Sequence, residues 1–200
     1  MHPSIVVPYL QDGDVILRMT DGFWSALFSR YSPTDQRFSH LGIVRVLDDD
    51  ISVVHSIGSF ANRNRGVEEV PLRYFIAVAR SLGIFRVRGA EGAAISSAVM
   101  RYIGRPFDFD FDLDDDSTIY CTQLLYVALR PISLEHILST VYVEQIGRHV
   151  IPLDAISNSP VYIEEVAFFV RQNRYDAERN NLAWYRRILL STLSHIRIRL

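Results

Sequence analysis

The sequence predicts an α+β fold in which an antiparallel sheet or partial barrel packs against helices. Short runs with the apolar or alternating pattern of strands recur through the first half of the chain. Two of these runs are joined by a connection of hairpin length at residues 47–50, and helical patterns lie between others. The 200 residues, 48% hydrophobic and 22% charged, suit a single domain. We expect its core over residues 12–130, with an extension over residues 131–200 packed on it.

Four segments are predicted strands because they are rich in β-branched residues or alternate in polarity. They are residues 14–19, 38–46, 51–57 and 84–88. Residues 60–69 contain Asn, Arg and Gly and are predicted to form an exposed loop.

Helical spacing predicts three helices before residue 104. They are a short helix capped by Asp21 with an aromatic stripe over residues 23–31, a helix within residues 71–80, and one over residues 91–103 that ends at Gly104.

An acidic segment precedes the only cysteine of the chain. Residues 107–112 (FDFDFD) alternate Phe and Asp, which predicts a strand with one apolar and one acidic face. After the acidic turn at residues 114–116, Ser117 or Thr118 is a suitable N-cap for the next helix. The acidic face suits solvent, with recognition of an amine or another cation as the alternative.

The region beyond Pro131 carries weaker patterns. Ser133 is a candidate cap for a short helix through Leu138, and residues 161–170 suit either a strand or a helix. Residues 175–195 form an amphipathic pattern, which favours a packing or interaction helix. Contact with a membrane surface is the alternative, although the polar face has few cations for it.

Composition and charge exclude several classes of function. A net charge of -2 argues against general nucleic-acid binding, which needs clustered cations. The chain has no run of about 20 apolar residues, as a membrane span requires, and no visible secretory signal. We therefore expect a cytoplasmic protein by default, with a specialised secretion route left open. No CxxC, HExxH, GxGxxG or Walker pattern is present, so we expect no metal and no cofactor.

Cys121 is the candidate nucleophile. A cap at Thr118 would place it in the first turn of a helix, where free N–H groups and the helix dipole favour a thiolate. The alternative is a small buried hydrophobe, which a lone cysteine on a helix often is. The carboxylates of residues 114–116 oppose ionisation unless they stay solvated.

A nucleophilic cysteine needs a base, and six histidines are available. His40 and His55 lie in predicted strands, which hold side chains rigidly. The other four lie near the termini or in the weakly patterned region: His2, His136, His149 and His195. His40 is followed by Leu41 and Gly42, and a glycine on the face of the histidine leaves space for a substrate or an incoming side chain.

The segments GDVIL, SHLGIV, GRPFDFDF and IYCTQLL, in this order, resemble the circularly permuted papain-like cysteine hydrolases of the NlpC superfamily, in the YiiX-like branch. The similarity covers about residues 12–129. In this branch the histidine precedes the cysteine, as it does here. The resemblance implies a permuted papain-like fold with Cys121 as nucleophile at a helix N-terminus and His40 as base. It also implies a polar orienting residue on the next strand, where this chain has His55 instead of the Glu frequent in relatives.

Sheet geometry tests whether His55 can take that role. Directly paired residues of an antiparallel hairpin share a face, and a slip of one residue reverses the relationship. If Val46 pairs with Ile51, both histidines point the same way. If Leu47 pairs with Ile51, His55 faces away, and Glu68 or Glu69 becomes the alternative, or the site works as a dyad.

Two further residues complete the predicted site. The backbone N–H of Cys121 is a natural oxyanion donor because it lies at a helix N-terminus. Tyr120 is a candidate either to donate a hydrogen bond from its hydroxyl or to line the pocket. Gly42 is also a candidate to line the pocket.

These features predict a cysteine hydrolase that cleaves an amide through an acyl-enzyme. By resemblance, the substrate is a peptidoglycan-type peptide, a small peptide or an amino-acid amide. The first alternative is a lipid- or thioester-directed acyltransferase or hydrolase, which the aromatic stripe and the C-terminal amphipathic pattern favour. The second is a non-catalytic binding module that keeps only the fold.

Overall fold

The computed structural model describes residues 1–20, 32, 34–58 and 65–171. Met1–Phe169 forms one compact unit and Val170–Leu200 forms a second. Two predicted helices lie outside the described residues, namely the helix with the aromatic stripe at residues 23–31 and the one at residues 175–195.

The described residues form eight strands, most of them in one sheet. The strands are β1 (Val15–Met19), β2 (His40–Leu47), β3 (Asp50–Ser56), β4 (Val67–Pro71), β5 (Ser81–Val87), β6 (Val141–Val143), β7 (Arg148–Val150) and β8 (Ile163–Val170). Six of them build a sheet in the order β4-β3-β2-β1-β5-β8, while β6 and β7 pair separately. The pairs β1–β2, β2–β3, β3–β4 and β1–β5 are antiparallel, which confirms the predicted α+β class with an antiparallel sheet.

Five α-helices accompany these strands in the described part of the chain. They are α1 (Pro3–Val6), α2 (Leu72–Ala77), α3 (Gly92–Val99), α4 (Cys121–Leu129) and α5 (Asp154–Ser157). Eight of the nine residues of α4 are buried, and Tyr126 is the exception. A helix that is buried on nearly every side is an interior element, and here it packs between α3 and the sheet strands β2 and β3.

The sheet is covered on both faces because successive side chains of its strands alternate. One face joins the core around α3 and α4, and it includes Val15, Leu17, Leu41, Ile43 and Val54. The other face packs on α2 and includes Ile16, Val44, Val53, Phe75 and Ile76. The inner strands are therefore apolar on both sides, so a charged or titratable residue in them lies in a dry environment.

The predicted exposed loop at residues 60–69 is wrong at its end. Val67 begins β4, an edge strand that pairs with β3 from Pro71 to Val67. The two adjacent glutamates of β4 interrupt the alternation of polar and apolar residues that is typical of a strand. Charged side chains are nevertheless common on edge strands. The pairing places Glu68 directly opposite His55.

The predicted strand at residues 107–112 is also wrong, because this segment is a loop. The carboxylate of Asp108, 1% exposed, accepts hydrogen bonds from the backbone N–H groups of Asp110, Phe111 and Asp112 at 2.7–2.9 Å. Phe111 adopts the left-handed region with φ at +54°. Short Asp side chains compete with a strand ladder for backbone N–H groups, and here the carboxylate wins.

The region after α4 is built from short elements. The predicted helix from Ser133 to Leu138 is replaced by two 3-10 turns, Arg130–Ile132 and Glu135–Ile137, with Ser133 between them at a φ of +57°. Residues 163–170 take the strand alternative. Among the described residues, no helix has both the length and the apolar character needed to cross a bilayer.

Candidate active site

Cys121 is the first residue of α4, and 8% of it is exposed. The helix starts later than predicted, because Tyr120 occupies the N-cap position that was expected at Ser117 or Thr118. The side-chain Oε1 of Gln123 accepts the Tyr120 backbone N–H at 3.1 Å, as the third residue of a capped helix does. Cys121 therefore sits where backbone N–H groups have no partner within the helix.

Hydrogen bonds from neighbouring elements hold this helix start. The Ser56 hydroxyl, at the end of β3, donates to the Ile119 carbonyl at 2.5 Å. The Thr122 hydroxyl donates to the Ile151 carbonyl at 2.7 Å. The Ile151 N–H donates to the Tyr120 hydroxyl oxygen at 3.2 Å, which holds the Tyr120 ring in place. Ser56 follows His55 directly, and it links the histidine strand to the cysteine segment.

The β2–β3 hairpin has the register that places both histidines on one face. Val46 pairs with Ile51, which is the first of the two registers considered. Nε2 of His40 lies 2.9 Å from Nδ1 of His55, and the rings are nearly perpendicular. If His40 Nε2–H donates to His55 Nδ1, then Nδ1 of His40 keeps a free lone pair and can accept a proton.

Both fallback carboxylates lie on β4, but only one faces the histidines. Oε1 of Glu68 lies 3.6 Å from Nε2 of His55, which is longer than a hydrogen bond. Glu68 also accepts a hydrogen bond from Arg65 at 2.5 Å. Glu69 binds Arg45 and Ser52 instead. His40, His55 and Glu68 thus form a line across three adjacent strands.

Cys121 approaches β2 at the residue that follows His40. The backbone N–H of Leu41, the residue after His40, donates toward the Cys121 sulfur. Leu41 and Cys121 belong to the core cluster around α4, whereas the His40 ring stacks on Phe75 of α2 at 5.9 Å between centroids. The sulfur and the imidazole therefore approach this strand end from its two faces.

The site is electrically neutral at its cysteine and histidines. Burial raises the pKa of Cys121 to about 11, against the opposing effects of nearby N–H groups and the charge of Arg18. The expected thiolate is therefore wrong for the resting site, because desolvation outweighs the helix terminus. Burial and the charge of Arg18 lower the pKa of His40 well below its usual value and that of His55 to about 3. Both rings are uncharged at neutral pH.

Arg18 is the site residue that sequence reasoning missed. It pairs with His40 across β1 and β2, so the two side chains share a face, and it is 6% exposed. Its guanidinium lies 4.0 Å above the Phe75 ring and donates from NH1 to the Phe75 carbonyl at 2.6 Å. The signal was visible as the only charged residue within the apolar run VILRM.

The space over Gly42 is filled by protein. A Cβ at this position would lie 2.3 Å from Val53 Cγ1 and 3.0 Å from the Phe75 ring. The sequence predicts that this glycine leaves space either for a substrate or for an incoming side chain, and in the structure side chains fill the space. Gly42 therefore packs behind the histidines.

Arginines neutralise two carboxylates of the acidic segment. Asp112 pairs with Arg148 at 2.7 Å, and Asp116 pairs with Arg130 at 2.6 Å. Burial raises the pKa of Asp108, which its backbone contacts oppose. Asp108 and Asp112 are thus engaged within the protein, unlike the solvated acidic face that the alternation predicts.

Comparison with known proteins identifies the class. Residues 9–177 match the family described as permuted papain-like amidase enzyme, YaeF/YiiX, C92 family. The chain belongs to this family, as its permuted order of histidine before cysteine and its fold indicate.

Two relatives illustrate the family. The uncharacterized protein YiiX of Escherichia coli strain K12 is 27% identical over 123 residues, which cover 58% of this chain and 55% of YiiX. The match thus spans about half the length of that relative. A crystal structure described as metalloprotein yiiX from Escherichia coli O157:H7 superposes with a TM-score of 0.65 at 18% identity. It covers 80% of this chain and 98% of its own, and it supports the fold alone.

Proposed function

We propose that this protein is a cysteine hydrolase that cleaves an amide bond through an acyl-enzyme on Cys121. The observation that carries this proposal is the junction at the start of β2. There the Cys121 sulfur meets the Leu41 N–H, and His40 begins a hydrogen-bonded line to His55. Membership of a family described as papain-like amidase enzymes supports the same chemistry.

The uncharged resting pair determines the first step. His40 takes the thiol proton on Nδ1 as the Cys121 sulfur attacks the substrate carbonyl, because a neutral imidazole is a base and a thiol is a weak nucleophile. The backbone N–H of Cys121 donates to the oxyanion. His40 then returns the proton to the leaving amine, and water cleaves the thioester in a second, mirrored step.

His55 and Glu68 serve the charge that appears on His40. When His40 becomes imidazolium, its Nε2–H still donates to Nδ1 of His55, and the opposite N–H of His55 faces the Glu68 carboxylate. A carboxylate at 3.6 Å from the second ring supports a distant positive charge less than one in direct contact. We therefore assign His55 to orientation and Glu68 to a weaker electrostatic role.

A metal does not fit these residues, although the Escherichia coli O157:H7 relative is called a metalloprotein. Nε2 of His40 and Nδ1 of His55 face each other at 2.9 Å instead of converging on a third point. In the described residues, no group of three or more His, Cys, Asp or Glu side chains could hold a metal ion. The proposed steps accordingly use protein groups alone.

The substrate class is proposed by resemblance as a peptidoglycan-type peptide or a small amino-acid amide. The acyltransferase alternative relied on residues 23–31 and 175–195, which lie outside the described residues. The binding-module alternative predicts the same fold without turnover.

A substrate panel separates these possibilities. Native protein and Cys121→Ala would be incubated with peptidoglycan fragments, acyl-amino acids and phospholipids, with products identified by mass spectrometry. We expect release of an amine and an acid from an amide substrate by native protein only. Transfer of an acyl group to an amine or a lipid would favour the acyltransferase. No product from any substrate, together with no acyl adduct on Cys121, would favour the binding module.

A further inference from the structure

We propose that Arg18 is a positioning residue of this site, whose buried guanidinium opposite His40 provides a fixed positive charge that stabilises negative charge on the Cys121 sulfur. This inference rests on the proposed roles of Cys121 and His40, and it adds a residue from β1. Neither the usual cysteine–histidine pair nor the histidine line accounts for this arginine.

Arg18 is buried without a carboxylate partner among the described residues. It is 6% exposed, and its Nε has no hydrogen-bond partner in the described structure. Its guanidinium donates to the Phe75 carbonyl and lies over the Phe75 ring. Buried charges are normally paired, because removing an ion from water is unfavourable. Among the described residues, no anion pairs with this guanidinium in the resting site.

Arg18 also lies in a position to act on the site, because it pairs directly with His40. Its charge opposes protonation of His40 and His55 and, more weakly than the nearby N–H groups, favours ionisation of Cys121. Burial lowers the pKa of Arg18 to about 10, so the group is still cationic at neutral pH. A cation in this place stabilises a thiolate and opposes an imidazolium.

The other charged or titratable groups near the site do not take its place, although the charge of Arg65 also opposes protonation of His55. On β2 and β3, His40 and His55 are uncharged, and beyond them Glu68 is already paired with Arg65. The hydroxyl of Tyr120, which precedes Cys121, is neutral, since burial raises its pKa above the usual range. Asp108, in the loop before α4, is held by backbone N–H groups. Among the described residues, Arg18 is therefore the fixed charge that lies directly opposite His40.

The charge of Arg18 should therefore shift both limbs of the pH profile of Cys121 reactivity. Arg18 lowers the pH at which the Cys121 thiolate forms and also lowers the pH at which the histidines become protonated. The site consequently keeps its reactive form into more acidic solution than a cysteine–histidine pair without a buried cation.

Alkylation of Cys121 by iodoacetamide tests this charge without any substrate. Because Cys121 is the only cysteine, its rate can be followed in native protein across a pH series. Two neutral variants remove the charge: Arg18→Gln keeps a donor for the Phe75 carbonyl, and Arg18→Met keeps the apolar stem. Arg18→Lys keeps the charge, and Arg88→Met removes a charge from an exposed ion pair with Glu164.

We expect the neutral variants to raise the apparent thiol pKa by about one unit, which slows alkylation below that pKa about tenfold. Histidine titration followed by NMR should move to higher pH in the same variants. Arg18→Lys should stay within about threefold of native protein, and Arg88→Met should be unchanged. Circular dichroism identifies which neutral variant is folded, and either one suffices.

Two results would overturn the proposal. One is a folded neutral variant with the native alkylation profile, because the charge then has no influence on the sulfur. The other is a shift in Arg18→Lys as large as in Arg18→Gln, because geometry and not charge would then matter. Alkylation needs no turnover. The effect of Arg18 on Cys121 can therefore be measured even if the substrate panel contradicts the amidase proposal.

Discussion

Two regions that meet at Cys121 are held together by different kinds of hydrogen bond. The sheet strands β1, β2 and β3 are held by backbone ladders, with apolar side chains on both faces. The acidic segment at residues 107–116 is held by Asp side chains that accept backbone N–H groups, as Asp108 does three times. The sheet therefore fixes the histidines by register, whereas single carboxylates hold the segment that leads to Cys121.

The largest expected effect lies in the acidic segment. Asp108→Ala leaves three partly buried backbone N–H groups without their acceptor, so we expect a loss of about 3 kcal/mol of unfolding free energy. Urea unfolding measures this loss. Asp110→Ala is the matched control, because Asp110 is exposed in the same segment, and it should change stability by less than about 0.5 kcal/mol. Equal effects of the two substitutions would mean that no single carboxylate holds this loop.

The stability of the sheet should instead be sensitive to added side-chain volume. Gly42→Ala would bring a methyl group 2.3 Å from Val53 Cγ1, so the packing behind the histidines must shift. We expect a loss of about 2 kcal/mol in unfolding free energy, as overpacking typically costs. Gly89→Ala is a useful comparison, since nothing lies within 4 Å of its added methyl, although its φ of +76° carries its own strain. A stable Gly42→Ala variant would show that the sheet yields more easily than the packing indicates.

The buried histidines predict a pH dependence of stability. The pKa of His55 is about 3 in the folded protein and about 6.5 when unfolded, so the unfolded chain binds more protons between these values. Stability should therefore be lost as pH falls from about 6.5 toward 3, by at most about 1.4 kcal/mol per pH unit for this histidine.

His55→Asn should flatten this acid slope, while the exposed His149→Ala should leave it unchanged. Urea unfolding between pH 4 and pH 8 gives both slopes. An unchanged slope in His55→Asn would show that His55 is not the group that takes up protons on acid unfolding.

Patterns of the sequence predicted most of the sheet and its register alternatives, because strands with β-branched residues and a short hairpin leave few arrangements. The shared face of His40 and His55 depends on the pairing of Val46 with Ile51, which is one of two registers that the sequence allows. The edge strand with Glu68 and the loop at residues 107–112 could not be predicted. Alternation does not reveal whether Asp side chains will bind their own backbone.

Arg18 illustrates a second limit. Its position in a predicted strand was evident, but its significance depends on its cross-strand partner and on the absence of a carboxylate beside it in the described residues. Neither property is local in sequence. The charge state of Cys121 was likewise mispredicted, because the degree of burial at a helix start is a tertiary property.

The central claim is that Cys121 is a nucleophile served by His40. The most direct measurement is the rate at which an electrophilic acyl probe labels Cys121 at pH 7, read by intact mass in native protein, His40→Ala and His149→Ala. The account predicts a fall of about 100-fold or more in His40→Ala, the size of a general-base contribution, and a native rate in His149→Ala. Equal labelling rates in native protein and folded His40→Ala would contradict it.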